Sequence, residues 1–155
     1  LAALPAAQRA RGVVLVLHTM GSHGPAYAKR SSPAYKRFQP ECAGSALQDC
    51  ERAAVVNGYD NSIAYTDHVL ARAIDWLQQR TAGYDPALLY LSDHGESLGE
   101  NGLYLHGLPY AIAPREQTQV PMIAWLPPQT LGADRLDAGC LQRRLDTPLS
   151  HDHLF

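Results

Sequence analysis

Residues that can bind a metal ion or a phosphate group are concentrated in three short segments that contain glycine. These are residues 18–24 (His-Thr-Met-Gly-Ser-His-Gly), 92–97 (Ser-Asp-His-Gly-Glu-Ser) and 99–107 (Gly-Glu-Asn-Gly-Leu-Tyr-Leu-His-Gly). Histidine nitrogen and carboxylate oxygen are ligands of catalytic zinc, which keeps one position open for water or substrate. The three segments therefore predict a metal site.

Asp93 and His94 form the pair most typical of such a site. Successive side chains of a strand point to opposite faces, so both can reach one ion only from an irregular turn. Gly95 permits a turn of that kind. The alternative is that Asp93 caps a helix and His94 is a hydrogen-bonded surface histidine. We favour metal binding.

His23 and His106 each stand beside a glycine, and Glu96 follows the Asp-His pair closely. The two histidines could bind the same ion, a second ion or a substrate phosphate; a loop histidine bonded to backbone is the open alternative. Glu96 could orient a histidine or accept a hydrogen bond from a cationic substrate group. A solvated carboxylate is the commoner outcome for such a residue.

Other polar residues receive structural interpretations. The basic group near His23 is expected to be an exposed loop rather than a device that steers an anionic substrate. His68 falls inside a predicted helix, and two histidines near residue 155 are not expected to be ligands. The residues concerned are Lys29, Arg30, Lys36, Arg37, His68, His151 and His153.

The elements that must position these residues are predicted from hydrophobic pattern. Continuous apolar runs at 12–17 and 87–91 indicate buried strands, and helical spacing runs between them from 58 to 80. A strand, a helix and a second strand form a unit of a parallel sheet, so the residues that follow both strands should meet at one edge. With a third strand over 120–125, the predicted fold class is α/β: a mostly parallel sheet flanked by helices.

Composition limits the classes of function. The chain has 155 residues, enough for one domain, and 46% of them are hydrophobic. Charges are balanced, with 13 Lys and Arg against 15 Asp and Glu, so nucleic acid is an unfavourable partner. The longest apolar run, Val13–Leu17, is far shorter than the ~20 residues of a membrane helix. The first residues show no signal-peptide pattern and are expected to be an interior cut.

The three cysteines bear on the cellular compartment. Cys42 and Cys50 flank a short loop containing Gly44 and Ser45, which a disulfide could close. That bond would favour an oxidising compartment, whereas two free thiols would fit the cytosol. Cys140 is left as a free thiol or as a half-cystine whose partner lies outside the chain.

Two longer motifs carry a family resemblance. Residues 17–27 and 91–114 resemble segments of the lipid A phosphoethanolamine transferases, the family that includes the mobile colistin-resistance enzymes. The resemblance covers about 13–126, and 150–155 resembles a later segment of the same catalytic domain. An isolated Asp-His-Gly would indicate only the sulfatase and alkaline-phosphatase superfamily; the run 91–114 is more specific.

The resemblance implies a zinc-dependent periplasmic domain with the sulfatase fold, tethered to the inner membrane by helices absent from this chain. A threonine would take phosphoethanolamine from phosphatidylethanolamine and pass it to a phosphate of lipid A. Asp93 and His94 would ligate the catalytic zinc, and His23 and His106 would bind a second zinc or the substrate's phosphate. Cys42 and Cys50 match a family disulfide in spacing.

One departure from the family pattern concerns the nucleophile. The family's nucleophilic threonine and its glutamate zinc ligand lie upstream of the residues present here, and Thr19, Thr66 and Thr118 do not match that motif. We therefore expect 1–155 to be part of a catalytic domain and to be inactive alone. The alternatives are another superfamily enzyme, such as a sulfatase, phosphodiesterase or phosphoglycerol transferase, and a non-catalytic remnant.

Overall fold

The structure is a computed structural model that describes residues 5–10, 12–131 and 136–154. Its helices are α1 (Ala6–Arg9), α2 (Arg52–Gln78), α3 (Arg115–Thr118) and α4 (Ala138–Arg143), and its strands are β1 (Leu88–Leu91), β2 (Ser97–Leu98), β3 (Tyr104–Leu105) and β4 (Met122–Trp125). Short 3-10 turns lie at Tyr27–Lys29, Pro33–Tyr35, Leu47–Asp49, Glu100–Gly102, Pro128–Thr130 and His151–Leu154. None of the helices described is both long and apolar enough to cross a membrane.

Helix α2 confirms the predicted helix and begins six residues earlier than position 58. The added segment contains Ala53 and Ala54, whose side chains favour helix, and Val55, which is fully buried. The buried residues of α2 lie in its first half, where the 3-10 turn Tyr27–Lys29 packs against it. The helix therefore fixes the chain just after His23.

The hydrophobic core joins α2 to the loops that precede it. Its buried members are Tyr27, Cys42, Leu47, Ala54 and Val55. Cys42 and Cys50 form a disulfide, with Cα atoms 5.8 Å apart, which confirms the predicted pair. Cys42 N also donates to Ala54 O at 3.0 Å. The loop of residues 42–50 is thus tied to α2 by covalent and hydrogen bonds.

A buried amide on α2 holds the next part of the loop region. Asn61 is fully buried, and its Oδ1 accepts from the backbone N of Arg37 and of Phe38 at 2.8 and 3.0 Å. Its Nδ2 donates to Phe38 O at 2.9 Å and to Glu41 Oε1 at 3.0 Å. Since a buried polar group needs partners, these four bonds fix both the amide and the loop.

The sheets differ from the predicted parallel arrangement. β1 pairs with β4 in antiparallel register, Leu88 opposite Trp125, and β2 pairs with β3 in the same sense. Strands at 87–91 and 120–125 are confirmed within two residues of their predicted ends, but the described strands form two small antiparallel sheets rather than a parallel one. Their apolar residues suit either direction of pairing, so the pattern did not determine it.

The strand predicted over 12–17 is wrong for this structure. Residues 12–20 have no regular secondary structure, and Val14 and Val16 are 91% and 82% exposed. A strand needs a hydrogen-bonded neighbour, and none of the described strands pairs with this segment. The hydrophobic pattern is present there without the partner that would bury it.

Candidate active site

Three histidines from separate segments meet in one cluster. His23, His94 and His106 each offer a ring nitrogen within 4.8 Å of the others. The rings of His94 and His106 stack with centroids 3.7 Å apart, and that of His23 meets them edge-on at 5.5 and 4.9 Å. The expected meeting of residues 18–24 with 92–97 therefore occurs, although no parallel sheet produces it.

The same nitrogen, Nδ1, makes an oxygen contact in all three rings. Nδ1 of His23 lies 2.7 Å from Gly24 O, and Nδ1 of His94 lies 3.0 Å from Gly95 O. Nδ1 of His106 lies 3.2 Å from Glu96 Oε1. Carbonyl and carboxylate oxygens only accept, so in a neutral ring these contacts assign the proton to Nδ1 and leave the lone pair on Nε2.

Asp93 and His94 lie on an irregular turn, as the sequence required. Ser92 Oγ donates to His94 O at 2.8 Å, and His94 N donates to Asp93 Oδ1 at 3.1 Å. Residues 92–96 begin no helix, so Asp93 is not a helix cap. Its other oxygen, Oδ2, lies 3.9 Å from His94 Nε2, and the side chain is 78% exposed. Asp93 therefore faces solvent at the edge of the histidine cluster, whereas His94 is partly buried.

Glu96 lies beneath the cluster rather than facing a ligand. Its side chain is 4% exposed. Oε1 accepts from Gly24 N at 3.0 Å as well as contacting His106, and Oε2 accepts from the hydroxyl of Tyr27 at 3.2 Å. Burial, together with the nearby Glu96 charge, raises the pKa of Tyr27 far above its usual value, so this hydroxyl remains a donor. Glu96 thus connects the His23 and His106 segments.

Two backbone features set the approach of these segments. A Cβ on Gly95 would collide with the carbonyl oxygen of Glu116, because α3 packs directly against the turn after His94. Leu105 adopts a φ of 65°, in the left-handed region that bulky residues rarely occupy, immediately before His106. Its side chain packs against the core, which helps to hold this conformation.

The remaining candidates are not members of the three-histidine cluster, although His151 and Arg30 contact the backbone of its segments. His151 Nε2 is 3.0 Å from Ser92 O, and His153 contacts Ser150. His68 packs on Tyr35, with ring centroids 4.7 Å apart. In the basic group, Arg30 donates to His23 O at 2.8 Å, and Lys36 pairs with Glu41 at 2.6 Å; Lys29 and Arg37 are exposed.

Sequence reasoning missed three residues that support the site: Tyr27, Ser97 and Gln117. Each is buried and makes a hydrogen bond across at least twenty residues of sequence. Their positions relative to the histidines carry no regular spacing. Ser97, just after Glu96, and Tyr27, at the end of the run 17–27, lie inside recognised segments, whereas Gln117 lies beyond the run 91–114.

Comparison with known proteins fixes the family. The sulfatase family model matches residues 2–155. The chain belongs to the sulfatase family. Among relatives of this sulfatase-family chain, phosphoethanolamine transferase EptA of Escherichia coli K12 is 48% identical over 143 residues, 92% of this chain and 26% of that protein. The Kdo(2)-lipid A phosphoethanolamine 7''-transferase of Salmonella typhimurium is 40% identical over 113 residues, 73% of this chain and 19% of that protein.

A solved relative supports the same assignment. The C-terminal periplasmic domain of phosphoethanolamine transferase EptC from Campylobacter jejuni matches with a TM-score of 0.67 and 52% identity, over 70% of this chain and 35% of that one. The expected resemblance to the phosphoethanolamine transferases is confirmed, and the α/β fold is of the sulfatase type. The chain spans about a quarter of the length of the first of these curated relatives, at 26%.

Proposed function

We propose that this sulfatase-family chain forms part of the catalytic domain of an enzyme that transfers phosphoethanolamine from phosphatidylethanolamine to a phosphate of lipid A. The observation that carries the proposal is the convergence of His23, His94 and His106, each with Nδ1 facing an oxygen of the protein. The names of the relatives supply the group transferred and the acceptor. The donor and the threonine intermediate come from the family resemblance.

The donor atoms fit a zinc ion. Two ligands held ~2.1 Å from one tetrahedral ion lie ~3.4 Å apart, and Asp93 Oδ2 is 3.9 Å from His94 Nε2. All three histidines have an oxygen acceptor on Nδ1, the arrangement that orients histidine ligands of metals. Asp93 and His94 would hold the catalytic zinc, and His23 and His106 would hold a second zinc or the substrate phosphate.

Each residue has a definite task in this scheme. Bound zinc would supply a Lewis acid that balances charge on phosphoryl oxygens. Glu96 contacts His106 Nδ1 and so keeps the ring turned with Nε2 outward. The same carboxylate binds Gly24 N and thereby keeps His23 beside His106. In phosphoryl transfer most of the catalysis is positioning and electrostatics, and these contacts provide the positioning.

The covalent steps involve a threonine that we place outside residues 1–155. Its hydroxyl oxygen would bond to phosphorus as the bond to diacylglycerol breaks; a lipid A phosphate oxygen would then bond to phosphorus and release the threonine. Thr66 Oγ1 donates to Ser62 O at 3.0 Å, and Thr118 Oγ1 contacts Pro114 O and Arg115 O at 3.4 and 3.5 Å. These contacts within helices support a structural role for both.

The proposed location is the periplasmic face of the inner membrane, with a membrane anchor outside this chain. The disulfide between Cys42 and Cys50 supports an oxidising compartment. The Campylobacter jejuni relative is described as a periplasmic domain. Fractionation of cells expressing the complete gene tests the location.

The test of the activity uses the product of the complete gene, purified in detergent with phosphatidylethanolamine and lipid A. We expect mass spectrometry to show phosphoethanolamine added to lipid A, loss of product in Asp93→Ala and His94→Ala, and normal product in His68→Ala. Hydrolysis of a sulfate ester without transfer would favour a sulfatase. No turnover of any ester by the wild type would favour a non-catalytic remnant.

Zinc is tested separately by metal analysis of the same proteins. Zinc content should fall in Asp93→Ala and His94→Ala relative to the wild type and His68→Ala, because each variant removes one ligand. Full zinc content together with full transferase activity in both variants would overturn the ligand assignment.

A further inference from the structure

Helix α3 places one buried glutamine against the chain that follows His94 and the chain that follows His106. Gln117 is 6% exposed. Its backbone O accepts from Gly95 N at 2.9 Å, directly after His94. Its Nε2 donates to Ser97 Oγ at 2.9 Å, directly after Glu96, and its Oε1 lies 3.4 Å from Leu108 N, two residues after His106.

The buried groups that Gln117 contacts have few other hydrogen-bond partners available. Ser97 is fully buried and its backbone pairs with Leu105, so its hydroxyl has no access to solvent. A buried amide or hydroxyl that loses its partner destabilises the fold, because the loss of its contact with water is no longer offset. The contact of α3 with Gly95 also prevents the His94 turn from moving toward the helix. The separation of His94 and His106 therefore depends on Gln117 being paired on both sides.

We infer that Gln117 is a positioning residue that fixes His94 relative to His106. It touches neither ring; it holds the backbone on the C-terminal side of each. Glu96 holds the His106 ring from the opposite side, so the two residues act on different parts of the same segment. The metal and catalytic consequences rest on the proposed function, whereas the geometric consequence does not.

The discriminating variants are Gln117→Leu, Gln117→Glu and Gln119→Leu. Leucine fills similar space and leaves Ser97 Oγ and Leu108 N unpaired. Glutamate can accept from both, because the serine hydroxyl can turn to donate, although it adds a buried charge that lowers stability. Gln119 lies just after the same helix, is exposed, and bonds Arg115, so it is the matched control.

The metal-independent readout is the histidine ring NMR spectrum of the product of the complete gene, purified in detergent and freed of metal. We expect Gln117→Leu to shift or broaden the signals of both His94 and His106, while His68, packed on Tyr35, serves as the internal reference for folding. Gln117→Glu and Gln119→Leu should resemble the wild type. Unchanged His94 and His106 signals in Gln117→Leu, or equal changes in all three histidines, would overturn the inference.

The functional readout uses the product of the complete gene. We expect zinc affinity in Gln117→Leu to fall about 10–100-fold, with kcat reduced and KM for phosphatidylethanolamine little changed. Zinc affinity and kcat should recover in Gln117→Glu, despite the lower melting temperature of that variant. If kcat simply followed melting temperature across the variants, Gln117 would be structural only. A wild type without zinc or activity would instead reject the proposed function, and the NMR result would still decide the role of Gln117.

Discussion

Glu96 Oε1 lies 3.2 Å from His106 Nδ1 and, at 3.0 Å, accepts a hydrogen bond from the amide that follows His23. One buried oxygen therefore connects two of the three histidine segments. Oriented histidine is the usual form of a metal ligand, and removing such a supporting carboxylate typically lowers metal affinity 10–100-fold.

We expect Glu96→Ala to lower zinc affinity by about that factor, because His106 and Gly24 N lose their acceptor. Glu96→Gln should recover most of the affinity, since its amide oxygen can accept as before and its NH2 can donate to the Tyr27 hydroxyl. Titration against a chelator measures both. Glu100→Ala is the control, because that carboxylate bonds Arg52 and Leu98 N instead. Wild-type affinity in Glu96→Ala would contradict the orienting role.

Gly95→Ala should disrupt the site more than the addition of one methyl group suggests. The added methyl group would collide with the Glu116 carbonyl, so either α3 or the His94 turn must move. Overpacking of this kind costs about 1–3 kcal/mol, and we expect weaker zinc binding as well. Gly83→Ala, where the added group meets open space, is the control. Denaturant unfolding measures the free energy of unfolding, and chelator titration measures the zinc affinity. Equal stability of Gly95→Ala and Gly83→Ala would show that the packing at Gly95 is not tight.

The disulfide should stabilise the loop region by limiting the unfolded chain. It joins residues eight positions apart, and closing so short a loop contributes about 2–3 kcal/mol. We expect the double variant Cys42→Ser/Cys50→Ser to lose this amount of unfolding free energy in urea, and Cys140→Ser to lose much less. Reductant should have little effect on the double variant. A wild type equally stable with and without reductant would rule out this contribution.

Glu41 should make stability depend on acid pH. Burial by itself would raise its pKa, but the bonds from Lys36 and Asn61 outweigh burial, and the pKa lies below the ordinary 4.5. A depressed pKa means that the carboxylate stabilises the fold above pH 4.5 and loses this effect as pH falls through the folded-state value.

The measurement is urea unfolding of the wild type and of Glu41→Gln between neutral and acid pH. We expect the wild type to be more stable by about 1.5–3 kcal/mol at neutral pH, as for hydrogen bonds to a charged group. The difference should shrink below the ordinary pKa. A difference that stays constant across this range would show that ionisation of Glu41 does not contribute.

Local pattern predicted the long helix and two strands because each depends on residues that are near in sequence. Helical spacing indicated α2, and its early start followed from Ala53, Ala54 and Val55. The run at 12–17 has an equally strong pattern but needs a pairing neighbour, which local sequence does not specify. Strand direction is undetermined for the same reason, since apolar residues of β1 suit parallel and antiparallel partners.

The sequence by itself determined the chemical groups of the site and the family. Asp93, His94, His23, His106 and Glu96 were identified from residue type, neighbouring glycines and the resemblance, and the Cys42–Cys50 pair from spacing. Zinc and the roles of these ligands remain predictions.

Only the tertiary structure decided how these groups face one another. Each Nδ1 faces an oxygen within ten residues of it along the chain. Contacts across about twenty to seventy residues then place Glu96 below the rings and seat Gln117 against the segment that contains His94. Such contacts leave no periodic trace in the sequence, because the two partners lie on different elements. The physical reason is that a side chain's orientation depends on what packs against it, and packing is settled when the whole chain folds.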